Sequence, residues 1–362
     1  MTPPQIPLLA HLLQRIAAEG PIGLEDYMAE VLGHPEHGYY MSGDPLGRTG
    51  DFVTAPEVSQ MFGELIGLWC AVVWSSMGRP PRINLVELGP GRGTLMADAL
   101  RALAQVEGVL GVLDVHLVET SPSLTLRQKR NLSLAERPVT WHRRFADVPD
   151  GPPGTPVIVV ANEFLDALPI RQWVKTQTGW AERRVGADGA RLIWTDVPTL
   201  AGPSIDAPAG AIVEGSPIRD AAVSEISARI ARNGGAALFV DYGHALSAVG
   251  DTLQAVKDHQ YHDVLADPGE ADVTSHVDFA AAARSARAAG AVAYGPVSQG
   301  DFLRALGIEA RAKVLARGKT PREAGEVLGA MRRLIARAEM GDLFKVLAAT
   351  APGLPVPAGF GG

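Results

Sequence analysis

A glycine-rich turn directly follows an apolar run in this sequence. Residues 83–88 are typical of a central strand in a parallel sheet, which is buried on both faces. The turn contains Gly89, Gly91 and Gly93, which let the backbone turn sharply and leave room for a ligand beside it. Thr94 follows, and we expect it to cap the next helix and to lie among the ligand-binding residues. The pattern predicts a nucleotide-binding turn.

Glu87, the acidic residue before the turn, helps to separate the coenzymes that such turns bind. A dinucleotide places its pyrophosphate at the helix start and commonly requires the spacing G-x-G-x-x-G. Here the third glycine comes one residue early. S-adenosylmethionine (SAM) carries an amino-acid moiety and no phosphate, so a carboxylate can face its ammonium group. The turn favours SAM as the cofactor, with a dinucleotide-dependent oxidoreductase or a merely tight turn as alternatives.

Two more acidic residues follow the next predicted strands. Glu119 ends the strand at residues 112–118, where a carboxylate can accept both ribose hydroxyls of a bound adenosine. Asp147 lies just past the third strand, where it can accept the adenine amino group. An ordinary turn aspartate is an equal alternative for Asp147. Both residues are predicted to bind the cofactor.

A polar segment follows the fourth strand, which is predicted at residues 157–160. Ligands of open α/β sheets collect beyond the carboxyl ends of the strands. We therefore expect Asn162, Glu163 and Asp166 to flank the methyl donor, with the two carboxylates on one face of a helical turn. Alternatively, both acids only stabilise a helix N-terminus through its dipole.

Composition and charge argue against several other classes of protein. The net charge of -7 disfavours nucleic acid as a partner, because binding its backbone needs a basic surface. The single cysteine, Cys70, supplies no zinc site, and we predict no metal. No apolar stretch is long enough to span a bilayer, and the N-terminus resembles neither a secretory signal nor a transit peptide. We expect a cytoplasmic protein without membrane insertion.

The order of predicted elements suggests an α/β fold of the Rossmann type, because strands and helices alternate after about residue 80. We expect residues 1–79 to form a helical region with a Gly/Pro-rich loop, and residues 80–362 to form the Rossmann-like domain. Insertions are expected around residues 170–215, 242–290 and 300–340. The second of these has too few periodic apolar residues at its start to predict a regular element there.

Six motifs together resemble the MidA-like family of SAM-dependent methyltransferases. The resemblance covers about residues 21–346 and is far more specific than the glycine turn alone. The motifs are HGYY at 37–40, GDFVTAPEVSQMFG at 50–63, ELGPGRGTLMAD at 87–98, NEFLDALP at 162–169, GDTL at 250–253 and PGEADVTSHVDF at 268–279.

The resemblance implies a class I methyltransferase fold, with a seven-stranded, mostly parallel Rossmann-like sheet, an N-terminal helical region and helical insertions. It also implies an activity, because a mitochondrial relative methylates arginine in a respiratory complex I subunit. The expected partner is then a protein substrate, such as a complex I subunit. A SAM-binding assembly factor with little catalytic activity is the alternative, and the oligomeric state stays open.

An arginine acceptor suggests roles for several polar residues. Glu163 and Asp166 are candidates to hold the guanidinium through charge-assisted hydrogen bonds. The proton is then lost to Asp51, His276 or water. A lone histidine, however, is more often a packing or hydrogen-bonding residue.

The loop at residues 50–63 is a candidate lid over the cofactor. Asp51 and Thr54 would then reach over the reacting sulfonium and shield it from water. A purely structural loop, in which Thr54 or Ser59 caps the following helix, is an equal alternative.

Overall fold

Two compact units make up the chain, in a computed structural model that describes residues 6–41 and 54–361. The insertion unit contains residues 1–52, 166–220 and 246–276. The sheet unit contains residues 53–165, 221–245 and 277–362. The chain does not pass from one unit to the other at residue 80, where the sequence suggests a boundary.

Helices and strands alternate through most of the described chain. The helices are α1 (Pro7–Glu19), α2 (Leu24–Gly33), α3 (Ala55–Val58), α4 (Gln60–Ser76), α5 (Thr94–Leu103), α6 (Pro122–Asn131), α7 (Pro217–Asn233), α8 (Phe279–Ala288), α9 (Gln299–Ala305), α10 (Ile308–Ala316) and α11 (Pro321–Ile335). Within residues 6–41 and 54–361, none of these helices has the length and apolar character needed to cross a membrane.

The strands are likewise distributed over both units. They are β1 (Ile22–Gly23), β2 (Ile83–Leu88), β3 (Leu113–Val118), β4 (Val139–His142), β5 (Val157–Asn162), β6 (Arg171–Lys175), β7 (Trp180–Asp188), β8 (Arg191–Thr199), β9 (Ile212–Gly215), β10 (Gly235–His244), β11 (Gln254–Lys257), β12 (Gln260–His262), β13 (Asp272–Thr274), β14 (Val277–Asp278), β15 (Val292–Ser298) and β16 (Phe344–Thr350).

The sheet unit is built on a sheet with the strand order β15-β16-β10-β5-β2-β3-β4. Strands β10, β5, β2, β3 and β4 pair in parallel, and β16 runs antiparallel to both β10 and β15. Every residue of β2 and β5 is buried, as is typical of central strands in a parallel sheet. The seven-stranded, mostly parallel sheet is confirmed, and the two-residue strand β14 adds a short parallel pairing to β10.

Helix α4 packs closely against α5, the helix that directly follows the glycine turn. A Cβ atom on Gly67 would lie 2.6 Å from the carbonyl oxygen of Ala99, and one on Gly63 would lie 2.7 Å from the Cβ of Asp98. Both glycines therefore permit a helix contact that a larger residue would push apart. The contact fixes α5, and with it the end of the turn.

The insertion unit has its own apolar core and its own small sheets. Leu8, Leu12 and Ile16 are buried on one face of α1, and Tyr27 and Val31 of α2 belong to the same core. One sheet has the order β1-β7-β6-β9, with β8 paired to β7, and another has the order β12-β11-β13. The second sheet lies in the segment whose start suggested no regular element from the sequence. Its short strands carry too few apolar residues to be recognised by periodicity.

Candidate coenzyme and methyl-transfer site

The turn between β2 and α5 forms a cradle that only glycine can line. Gly89, Gly91 and Gly93 have φ angles of 59°, 52° and 79°, which lie in the left-handed region. A Cβ atom on Gly89 would also approach Cδ2 of Phe164 to 3.0 Å. Gly89 and Gly91 therefore leave accessible backbone without side chains at the carboxyl end of a central strand, where ligands of open α/β sheets bind.

Thr94 does not cap α5, so that part of the prediction is wrong. Gly93, in the left-handed conformation, occupies the cap position, and no side chain accepts a hydrogen bond there. Thr94 is instead the first residue of the helix. The hydroxyl donates a hydrogen bond of 2.5 Å to Oε1 of Glu57. Its predicted place among the cofactor residues stays a prediction.

Glu87 is buried beneath the turn, with 3% of its surface exposed. Its Oε2 atom has no hydrogen-bond partner among the described residues, and the backbone N–H of Met96 bonds to the carboxyl group. Burial, and secondarily the charge of Glu119, raise the pKa of Glu87 to about 8. The carboxyl group therefore holds its proton at neutral pH in the coenzyme-free protein.

We expect Glu87→Gln to stabilise the coenzyme-free protein at high pH. The raised pKa means that the folded state binds a proton which the unfolded state releases above about pH 4.5, so wild-type stability falls as the pH rises from there to about 8. One such proton changes the free energy of unfolding by up to about 1.4 kcal/mol per pH unit. Urea unfolding at pH 5, 7 and 9 should show the advantage of Glu87→Gln growing with pH. A difference independent of pH contradicts the expectation.

Glu119 is held firmly at the end of β3. Its Oε1 atom accepts a hydrogen bond of 2.8 Å from the backbone N–H of Ser121, and its Oε2 atom accepts one of 2.9 Å from Nε2 of Gln128. Burial raises the pKa of this carboxyl group. Each carboxylate oxygen can accept a further hydrogen bond, which is what the predicted contact with two ribose hydroxyls requires. Ser121 also caps α6, because its side chain accepts a hydrogen bond from the backbone N–H of Leu124.

Gln128 is a residue of this site that the sequence analysis missed. It is fully buried, and its Nε2 atom donates both to the carboxylate of Glu119 and to the carbonyl oxygen of Gly91, at 2.8 Å. The indole N–H of Trp141 donates to its Oε1 atom. Gln128 therefore ties the glycine turn to the predicted ribose site. A signal existed, because Gln128 follows the apolar Leu124 at helical spacing and so lies on the buried face of α6.

Asp147 lies at the end of a short 3₁₀ turn, Phe145–Asp147, after β4. Its carboxylate pairs with the guanidinium of Arg144 at 2.8 Å, and this hydrogen-bonded contact lowers the pKa of Asp147. A contact with adenine stays a prediction for this residue.

Asn162 and Glu163 stand at the carboxyl end of β5. Nδ2 of Asn162 and the backbone N–H of Ala55 each donate to Oε1 of Glu163, both at 3.0 Å. The backbone of Glu163 has a φ angle of 49°, which is rare for a residue with a side chain, and its N–H donates to the carbonyl oxygen of Val240. Strained backbone of this kind concentrates at functional sites. Hydrogen bonds to its side chain and backbone therefore hold Glu163 in a backbone conformation that residues with side chains rarely adopt.

The predicted helical turn that carries Glu163 and Asp166 does not form. Glu163 and Asp166 therefore share no helical face, and neither acid stabilises a helix N-terminus there. The segment turns instead because Glu163 takes the left-handed conformation and Leu165 donates its N–H to the carboxylate of Asp241. Asp166 is the first residue of its segment in the insertion unit, where it is 6% exposed.

His276 and Asp166 are joined within the insertion unit by Arg219. The buried guanidinium of Arg219 donates to the carbonyl oxygens of His276 at 3.0 Å, Asp166 at 3.3 Å and Leu168 at 3.4 Å. It also donates to Oγ of Ser275 at 2.9 Å. The structure thus brings the backbones of two predicted site residues together.

We expect Arg219→Met to lower the free energy of unfolding by about 3 kcal/mol, because buried acceptors lose their donor without access to water. Urea unfolding should compare it with Arg322→Met, a matched change at a side chain that is 90% exposed and that should shift stability by less than about 0.5 kcal/mol. Equal losses in the two variants contradict the expectation.

The candidate lid is only partly described. Asp51 lies outside the described residues. Thr54 directly precedes α3 but makes no side-chain cap, whereas Ser59 caps α4 by accepting a hydrogen bond from the N–H of Met61. Thr54 keeps its predicted cofactor role only as a prediction.

The glycine cradle, the carboxylate at the end of β3 and the strand order define a SAM-dependent methyltransferase. The residues fit this coenzyme, because the cradle leaves backbone free for an adenosyl group and Glu119 has the acceptors that ribose needs. The model of a family described as "Putative S-adenosyl-L-methionine-dependent methyltransferase" matches residues 65–297. The chain belongs to this family of MidA-like proteins.

Relatives and solved structures agree with this assignment. Mitochondrial protein arginine methyltransferase NDUFAF7 of Mus musculus is 40% identical, over 94% of this chain and 84% of the relative. The corresponding protein of Danio rerio is 38% identical, over 93% of this chain and 85% of the relative. A crystal structure from Burkholderia thailandensis, bound to S-adenosyl-homocysteine (SAH), is 33% identical with a TM-score of 0.85, and the match covers 97% of this chain and 93% of that chain.

The expected cytoplasmic location is wrong, because the curated relatives are named as mitochondrial proteins. The expectation depended on not recognising a targeting segment in the sequence, which is a weak basis for a location.

Proposed function

We propose that this methyltransferase transfers the methyl group of SAM to an arginine side chain of a protein. The observation that carries the proposal is the position of the Glu163 carboxylate. Glu163 directly follows β5, the strand paired with β2, and its backbone has a strained conformation. A carboxylate there suits a guanidinium, which it can orient through charge-assisted hydrogen bonds. The curated relatives, named protein arginine methyltransferases, support the same acceptor.

Methyl transfer requires little covalent chemistry from the protein itself. Bound SAM supplies an electrophilic methyl group on its sulfonium. Glu163 would hold the guanidinium so that a nitrogen lone pair points along the line of displacement, and it would stabilise the cationic product. Asn162 and Ala55 fix one oxygen of this carboxylate, which reduces the reorganisation needed when the acceptor arrives. Asp166, Asp51 and His276 remain predictions as further acceptor or proton-accepting residues.

The finer identity of the acceptor rests on the resemblance alone. It suggests a subunit of respiratory complex I, or a related protein, as the partner. A SAM-binding assembly factor with little catalytic activity is the competing function. The two differ in whether partner assembly needs coenzyme binding, so a variant that has lost SAM binding but still supports assembly favours the scaffold.

Transfer of labelled methyl groups tests the proposed activity. The purified protein would be incubated with methyl-labelled SAM and a lysate, and the labelled protein would be hydrolysed for amino-acid analysis. We expect the label in methylated arginine. Label in another amino acid or in a small molecule contradicts the arginine proposal, and normal SAM binding without any transfer supports the scaffold.

A further inference from the structure

Helix α3 links two parts of the coenzyme site within the sheet unit. At its start, the N–H of Ala55 bonds to Glu163 beyond β5. Glu57, the third residue of α3, accepts a hydrogen bond from the hydroxyl group of Thr94, which is the first residue of α5. Helix α3 therefore runs from the end of β5 to the end of the glycine turn.

The strand order indicates which part of the coenzyme lies next to α3. Strand β2 lies between β3 and β5, and Glu119, the predicted ribose ligand, lies at the end of β3. A coenzyme with its ribose at β3 that crosses the glycine turn has its amino-acid end towards β5. Helix α3 lies on that side.

The charges next to the turn complement an amino-acid zwitterion. The carboxylate of Glu57 accepts the hydroxyl of Thr94 through Oε1, and the backbone N–H of Glu57 is bonded to the carbonyl oxygen of Thr54. Nη1 of Arg92, in the turn itself, forms an ion pair with Oε2 of Glu57 at a distance of 3.9 Å. The ammonium and carboxylate groups of an amino acid placed beside this ion pair would each meet a side chain of opposite charge.

Glu87, which the sequence suggested as the partner of the ammonium group, is less suited to that role. It is buried, whereas Glu57 is partly exposed. One of its interactions is with the N–H of Met96, in the first turn of α5, so Glu87 serves the helix start.

We propose that Glu57 binds the ammonium group of the coenzyme's amino-acid end, with its carboxylate oriented by Thr94. Coenzyme binding and the position of α3 are thereby coupled. The inference concerns coenzyme binding and does not depend on arginine being the acceptor.

Two probes that differ only at the amino-acid end test this role by calorimetry. SAH carries the ammonium group, whereas 5′-methylthioadenosine has the same adenosyl thioether without the amino acid. We expect Glu57→Gln to weaken SAH binding about tenfold or more while leaving 5′-methylthioadenosine binding unchanged, because only SAH loses a charge-assisted hydrogen bond. Thr94→Val should give the same selective loss to a smaller extent, and Glu87→Gln should not.

Three outcomes overturn the proposal. Equal weakening of both probes by Glu57→Gln shows that the residue only holds α3 in place. Unchanged binding of both probes shows that it takes no part, and a selective loss of SAH binding in Glu87→Gln assigns the ammonium group to Glu87. A far-ultraviolet spectrum and melting temperature for each variant establish that it is folded before it is titrated.

Discussion

Gly91→Val is expected to lower the affinity for SAM and SAH at least about 100-fold. The φ angle of Gly91 is 52°, a conformation that a β-branched residue adopts only with strain. The valine side chain would also add bulk to the turn at which the coenzyme is expected to bind. Both effects act at the cradle, so calorimetry with SAM and SAH should detect little or no binding.

Gly154→Val serves as the matched control for the backbone strain. Gly154 has a φ angle of 81°, and a Cβ atom added to it would meet no other atom within 4 Å. The two variants should lose similar stability, yet the control should bind SAH normally. Normal SAH binding by folded Gly91→Val, or an equal loss in Gly154→Val, contradicts a coenzyme cradle at this turn.

Glu163→Gln is expected to reduce the rate of methyl transfer about 100-fold to 1,000-fold, which is typical for removal of one preorganised electrostatic group. Glutamine keeps an oxygen that can accept from Asn162 and Ala55, so the local structure should survive. It loses only the charge that favours the cationic guanidinium. Single-turnover transfer from labelled SAM, with SAH affinity measured in parallel, separates this loss from a defect in coenzyme binding.

Glu326→Gln is a suitable control, because that side chain is 65% exposed on α11. It should keep the wild-type rate and the wild-type affinity for SAH. If Glu163→Gln binds SAM normally and also retains the full methyl-transfer rate, the proposed role of Glu163 is wrong.

The central strands could be predicted from the sequence because buried parallel strands are continuous apolar runs. The prediction of residues 112–118 differs by one residue from β3, Leu113–Val118. The glycine turn was equally readable, since three alternate glycines after such a strand have few other uses.

Other parts of the site depend on contacts between residues distant in sequence. No local pattern tells that Thr94 bonds to Glu57, 37 positions away, or that Gln128 reaches the carbonyl of Gly91. The acids at 163 and 166 looked helical by spacing, but the left-handed backbone of Glu163 rules out a helix and depends on tertiary contacts.

A crystal structure with SAH bound tests most directly whether the turn after β2 is the coenzyme site. We expect the thioether sulfur beside Gly89–Gly93, the ribose hydroxyls on the carboxylate of Glu119, and the amino-acid end towards α3. Crystals soaked in SAH that show the compound elsewhere, or a turn closed by neighbouring side chains, would contradict it.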